Sequence, residues 1–247
     1  MKDTAKSFVS WLATAKLLSV PRRYIERALV YYYWSKNEVV FNFTEFMPNQ
    51  DIAQTGVDLI KRIKQEIEML LKDQEAFLIY STAIKTEKIE GEIAEVGVYQ
   101  GGSAKILREA SKKPLHLFDT FEGLPELNEK DDSDQFQKGN YSASLESVKN
   151  YLSGYPNIYY YKGLFPSTAE PVKDKKFSFV HFDVDIYEST LGCLNFFYSR
   201  LSKGGVIISH DYASSGGVRK AFDEFFEDKP EIIIQQYGTV QAFVVKL

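Results

Sequence analysis

Residues 92–119 read EIAEVGVYQGGSAKILREASKKPLHLFD. EIAEVG predicts a strand, SAKILREAS a helix and LHLFD a second strand, so the stretch is one β-α-β unit. The alternation continues downstream. SLESVKNYL predicts a helix, NIYYYKG a strand, and FSFVHFD a strand followed by a helix through Leu201. Lys203-Gly204-Gly205 turns the chain into the strand VIISHD, and GGVRKAFDEFFED predicts a helix. EIIIQQ and VQAFVVKL close the chain as two strands joined by a turn containing Gly238. This order predicts an α/β fold: a doubly wound, mostly parallel seven-stranded sheet with helices on both faces and an antiparallel strand in the final hairpin. In such sheets ligands bind outside the carboxyl ends of the strands. The charged residues that end strands are therefore where chemistry is expected: Asp119, Asp183, Asp185, His210 and Asp211.

Residues 1–85 lack strand alternation and predict a helical extension to a domain spanning 86–247. Phe8, Trp11, Leu12, Ala15 and Leu18 fall near helical spacing, and a second segment after Pro21 carries Tyr31, Tyr32, Tyr33 and Trp34. A third helix is expected from about Val57 to Lys85, with Ile60, Ile63, Ile67, Leu70 and Leu71 as its apolar stripe. Two readings of these stripes stay open: packing against the main domain, or a lid and homo-oligomer (dimer) contact. The polar segment 126–144, ELNEKDDSDQFQKGNYSAS, is a lid or a solvated insertion.

The chain has 247 residues, 44% hydrophobic and 15% aromatic, enough for a sizeable core. A net charge of −4 argues against a nucleic-acid partner. A single cysteine, Cys193, excludes a disulfide framework and a cysteine-rich metal site. It reads as a small buried residue in a reducing, cytoplasmic setting. No run is long enough to span a membrane, and the N-terminus reads as a cytosolic helix.

The turn after the first strand is neither the dinucleotide fingerprint G-x-G-x-x-G nor a P-loop. Its form, Glu95-x-Gly97-x-x-x-Gly101-x-Ser103, resembles the first motif of class I S-adenosylmethionine-dependent methyltransferases. There the turn holds the methionine end of the cofactor, with glycines admitting its close approach. Asp119 ends the second strand, 22 residues after Gly97, where a carboxylate can accept hydrogen bonds from both ribose hydroxyls. Tyr99, Thr120 and Phe121 sit in the two turns and are expected to pack against the cofactor.

EVGVYQGGSA, FDTFEGLP, HFDVDIYESTL, GGVIISHDY and GVRKAFDEFF together resemble the macrocin/mycinamicin O-methyltransferase family over about residues 85–247. The resemblance implies a Rossmann-like class I methyltransferase that methylates a sugar hydroxyl of a glycoside, glycan or nucleotide sugar. It implies S-adenosylmethionine as cofactor and usually a divalent metal, magnesium or manganese. It matches Asp183 to the first metal ligand, beside the cofactor, and Asp185 to the general base. Members carry two consecutive aspartates where this chain has His210-Asp211. Two readings stay open. Asp183, His210 and Asp211 hold a metal, with imidazole favouring manganese, iron or zinc over magnesium; or His210, with a pKa near neutrality, is itself the base and no metal is needed. His116 and His181, inside strands, read as hydrogen-bonded core residues.

A catechol-type O-methyltransferase would share the acidic strand ends, but FDTFEGLP favours the sugar family. A non-catalytic cofactor-binding protein would keep the glycine turn without the acidic residues. A nucleic-acid methyltransferase more often carries Pro-Pro-Tyr after the fourth strand, and a short-chain reductase would place Tyr32 and Lys36 after the glycine turn.

Overall fold

A computed structural model describes residues 50–131 and 134–247. The expected helices before residue 50, with Phe8, Trp11 and the Tyr31–Trp34 cluster, lie outside the described residues. Among the described residues two helices, α1 (Gln50–Glu66) and α2 (Asp73–Lys85), precede the sheet. The single helix expected over 57–85 is therefore interrupted at 67–72. Glu75 makes the break: it stands at the third position of α2, and its side chain accepts the Lys72 N–H at 2.8 Å, which ends one helix and starts another. Ile60, Ile63 and Leu71 are buried, so this part of the stripe is core. Leu70 is instead 56% exposed.

The sheet follows as β1 (Glu92–Val96), α3 (Gly102–Ala110), β2 (Leu115–Asp119), α4 (Leu145–Tyr151), β3 (Ile158–Lys162), β4 (Phe177–Phe182), α5 (Tyr187–Phe197), β5 (Leu201–Ser209), α6 (Gly216–Phe226), β6 (Ile234–Gln235) and β7 (Ala242–Val245). Its seven strands run in the order β3-β2-β1-β4-β5-β7-β6. β1 to β5 pair in parallel, and β7 is antiparallel to both β5 and β6. The order reverses between β1 and β4, so a crevice opens above their carboxyl ends.

Two boundaries differ from the sequence expectation. A short 3₁₀ turn at Tyr198–Arg200 ends α5, and β5 already begins at Leu201. Lys203-Gly204-Gly205 is not the entry turn but part of an irregularity: β4 residues 177 and 179 pair with β5 residues 201 and 206. The loop stays hydrogen-bonded because Gly204 N–H donates to the Lys246 carbonyl. EIIIQQ contributes only Ile234 and Gln235, an exposed edge where Ile232 and Ile234 bury little and gain little from pairing.

Alternation along the strands sends side chains to two faces. Ala94, Val96, Phe118, Val180 and Phe182 pack with Cys193, Leu194 and Phe197 of α5 and with Val218 and Phe222 of α6. Cys193 is fully buried, and burial pushes its thiol well up. The opposite face carries Glu95, bonded to Ser103 of α3, while α1 and α2 pack beside α3. Among the described residues no helix is long and apolar enough to cross a membrane.

Candidate active site

Above β1 and β2 the cleft is built mainly from backbone. Gly97 has φ +83°, and a Cβ there would lie 1.9 Å from the Asp183 carbonyl oxygen. The glycine thus admits the neighbouring strand's main chain as well as lining the cleft. Gly101, at φ +92°, is the left-handed residue that opens α3.

Asp119 joins the two turns. One carboxylate oxygen accepts the N–H groups of Val98 (2.6 Å) and Tyr99 (3.1 Å), and the other accepts that of Phe121 (2.6 Å). Three main-chain donors hold the carboxylate in place, two on one oxygen and one on the other, so the oxygen facing Phe121 N–H keeps capacity for a further donor. Gly97, Tyr99, Ser103, Asp119, Thr120 and Asp183 all line one cleft.

Glu95, Gly101 and Phe121 are not in its wall, contrary to the cofactor-binding role expected of them. Phe121 is buried at φ +54°, its ring turned into the protein. Gly101 acts through its backbone. Glu95 is fully buried beneath the turn, 2.8 Å from His181 Nδ1. Burial drives its carboxyl pKa up, opposed by its bonds to His181 and Ser103. His181 and His116 are both hydrogen-bonded core residues, as expected; His116 reaches Glu92 and Tyr161.

Two segments roof the cleft. Glu68, Met69, Leu70 and Leu71, between α1 and α2, line it beside the glycine turn, and Tyr99 Oη donates to Glu68 at 2.7 Å. Gln135, Phe136, Asn140 and Tyr141, from the polar 126–144 segment, line it as well. This segment is tied down because Asp131 accepts the Tyr187 N–H that opens α5, at 2.7 Å.

At the ends of β4 and β5 the cleft is built from charge. Asp183, Asp185, His210 and Asp211 all line it. Asp185 and Asp211 have φ near +60°, a left-handed conformation that aspartate tolerates better than most residues. Ser215 links the two loops by donating its hydroxyl to the Asp185 carbonyl at 2.9 Å while capping α6. Ser214 Oγ donates to Asp211 at 2.6 Å.

His210 stands at the centre. Its Nδ1 is 2.7 Å from Asp211 and 3.4 Å from Asp183, and its Nε2 is 3.4 Å from Glu75. Burial opposes its charge, but Asp183, Asp211 and Glu75 outweigh burial and push its pKa well up. Carboxylates facing both ring nitrogens thus favour the charged imidazolium form over the neutral one. Burial works against ionised Asp211 and Glu75 too, yet bonding to His210 holds both below the usual carboxylate range. Asp185 goes the other way. Burial first, then the charges of Asp183 and Asp211, raise it to about 9.

Glu75 was not among the sequence candidates. It is 1% exposed, and its Oε1 accepts the Val240 N–H at 3.2 Å. The available signal was one charged residue among buried α2 positions that are otherwise Ala76, Phe77, Ile79, Tyr80, Ser81, Thr82 and Ala83.

The donor atoms of Asp183, His210 and Asp211 lie within 4.8 Å of one another. Two carboxylates and an imidazole at that spacing fit a divalent cation, with the nitrogen favouring manganese, iron or zinc over magnesium.

Sheet order, glycine turn and acidic strand ends together define a class I methyltransferase fold. It is similar to the O-methyltransferase NovP, with TM-score 0.63 at 20% identity, covering 72% of this chain and 81% of that one. It is also similar to the calicheamicin methyltransferase CalS11, with TM-score 0.55 at 16% identity, covering 81% and 93%. The family model described as Macrocin-O-methyltransferase (TylF) matches residues 71–237, well over half of the chain, and the chain belongs to that family. It is 27% identical over 148 residues to 8-demethyl-8-(2,3-dimethoxy-alpha-L-rhamnosyl)-tetracenomycin-C 4'-O-methyltransferase of Streptomyces olivaceus, covering 53% of this chain and 56% of that protein. It is 25% identical over 153 residues to demethyldecarbamoylnovobiocin O-methyltransferase of Streptomyces niveus, covering 56% and 58%. The matches thus span little more than half the length of these relatives.

Proposed function

We propose that the protein transfers the methyl group of S-adenosylmethionine to a sugar hydroxyl in a glycoside, glycan or nucleotide sugar. The observation that carries this reading is the convergence of Asp183, Asp185, His210 and Asp211 on the cleft that Gly97, Tyr99 and Asp119 also line. One relative named above acts, by its name, on a rhamnosyl-tetracenomycin, which favours a sugar over a catechol acceptor.

Each half has its own task. S-adenosylmethionine, when bound, supplies an electrophilic methyl on a leaving sulfide, so the protein's part is alignment and a deprotonated acceptor. Asp119 presents a carboxylate oxygen to the ribose hydroxyls, and the Tyr99 ring borders the same pocket. Segments 68–71 and 135–141 close over it and exclude water. Asp185 takes the acceptor's proton. Its raised pKa makes it a stronger base than an ordinary carboxylate, at the cost of holding a proton at neutral pH. When bound to Asp183, His210 and Asp211, a divalent cation supplies positive charge that replaces the imidazolium proton, acidifies a nearby hydroxyl and returns Asp185 to its ionised form.

The test is a methyl-transfer screen of glycosides, nucleotide sugars and catechols, with chelator and with added manganese or magnesium, beside a calorimetric titration of S-adenosylmethionine. Methylated glycoside is the expected product. Failure to bind S-adenosylmethionine overturns the reading; methylation of catechols alone moves the enzyme to the phenol class.

A further inference from the structure

Glu75 is a buried charge from a helix 135 residues away from His210, and its place beside the imidazole calls for a reason. Its backbone contacts explain part of it: Oε2 accepts the Lys72 N–H and Oε1 the Val240 N–H. Glutamine, with a single acceptor oxygen, could serve only one of these two donors, yet the two bonds by themselves call for acceptors rather than for a full buried charge, which costs desolvation. What glutamine could not supply is charge opposite His210 Nε2, which lies 3.4 Å from Oε2. The other ring nitrogen, Nδ1, faces Asp183 and Asp211. A carboxylate that accepts a hydrogen bond from Nε2–H fixes the tautomer and leaves the Nδ1 lone pair as the ligand.

We infer that Glu75 is the positioning residue that turns His210 into an Nδ1 ligand, giving this chain a mixed nitrogen–oxygen cation site in place of an all-oxygen one. The inference rests on the methyltransferase reading only in its choice of site; it concerns binding of the cation and can be tested without turnover. Glu75 anchors the ring from α2, His210 replaces one carboxylate, and the site loses one negative charge. The softer donor shifts preference toward manganese or zinc and away from magnesium.

The experiment is manganese binding by electron paramagnetic resonance to the full chain and its Glu75→Gln, His210→Asp and doubly substituted forms. S-adenosylmethionine binding is measured on the same samples by calorimetry. Glu75→Gln is expected to weaken manganese about 10- to 100-fold. In the His210→Asp background the same change is expected to matter less than about threefold, because the two residues act as a unit. An equal loss in both backgrounds would show that Glu75 acts through Lys72 and Val240, and would overturn the inference. A readout that needs no variant is the ¹⁵N spectrum of histidine-labelled, zinc-loaded wild type. His210 bound through Nδ1 with Nε2 protonated is expected; Nε2 ligation, or no ligation, overturns it. If wild type binds S-adenosylmethionine and transfers methyl but takes up no cation, the Glu75 inference falls and the proposed function stands. If S-adenosylmethionine fails to bind while the manganese pattern holds, the reverse is true.

Discussion

The two halves of the cleft are made of different materials. Above β1 and β2 the cleft's shape depends on main-chain geometry, at Gly97 and through one carboxylate whose bonds go to backbone N–H groups. Above β4 and β5 it depends on side-chain charge, with two aspartates held at positive φ. A main-chain wall withstands changes of side-chain polarity but not an added Cβ. A charge cluster withstands small changes of shape but not loss of a charge. Cofactor binding and methyl transfer should therefore break separately.

The largest effect is expected where the halves touch. Gly97→Ala places a Cβ against the Asp183 carbonyl at an unfavourable φ, and should cost about 2–4 kcal/mol of stability. Thermal melting of the purified variant checks this, and a wild-type melting temperature would break the claim that the halves are in contact there. Asp119→Asn should be milder. It keeps the shape but replaces a carboxylate oxygen facing backbone N–H groups with a donor, and S-adenosylmethionine affinity should fall about tenfold or more. Calorimetry reads the change; an unaltered affinity would remove Asp119 from the cofactor half.

The effect on stability in the charged half depends on pH. Asp185 is raised to about 9 by burial and by Asp183 and Asp211, whereas an unfolded aspartate loses its proton near about 4. Between those values the folded protein holds the extra proton, so the Asp185 contribution to stability declines as pH rises through the window. In chelator-treated protein, the melting temperature of Asp185→Asn relative to wild type should therefore rise by a few degrees between about pH 5 and pH 9. A difference independent of pH would mean that Asp185 is not the strained carboxyl of the cluster.

The same contrast governs how much the amino-acid sequence reveals. The cofactor half is local: strand, glycine turn, helix and Asp119 fall within 28 residues, so their spacing carries the fold and most of the turn. Glu95 misleads because its motif position resembles a ligand contact while its side chain points into the sheet toward His181. In the charged half, strand ends reveal Asp183, Asp185, His210 and Asp211, but not their mutual effects. The shift at His210 needs three carboxylates from three different segments. Glu75 is the extreme case, since only the packing of α2 brings it to His210. The break at 67–72 was hidden too, because QEIEMLLKD holds neither glycine nor proline.

The most direct test of this division is the S-adenosylmethionine dissociation constant of Asp185→Asn, measured by calorimetry beside its turnover on a glycoside acceptor that the wild type methylates. Removing a general base should lower turnover about 10²- to 10⁴-fold while the dissociation constant stays within about twofold of wild type, because the cofactor wall is main chain from other strands. Retained turnover, or a loss of binding as large as the loss of turnover, would contradict it.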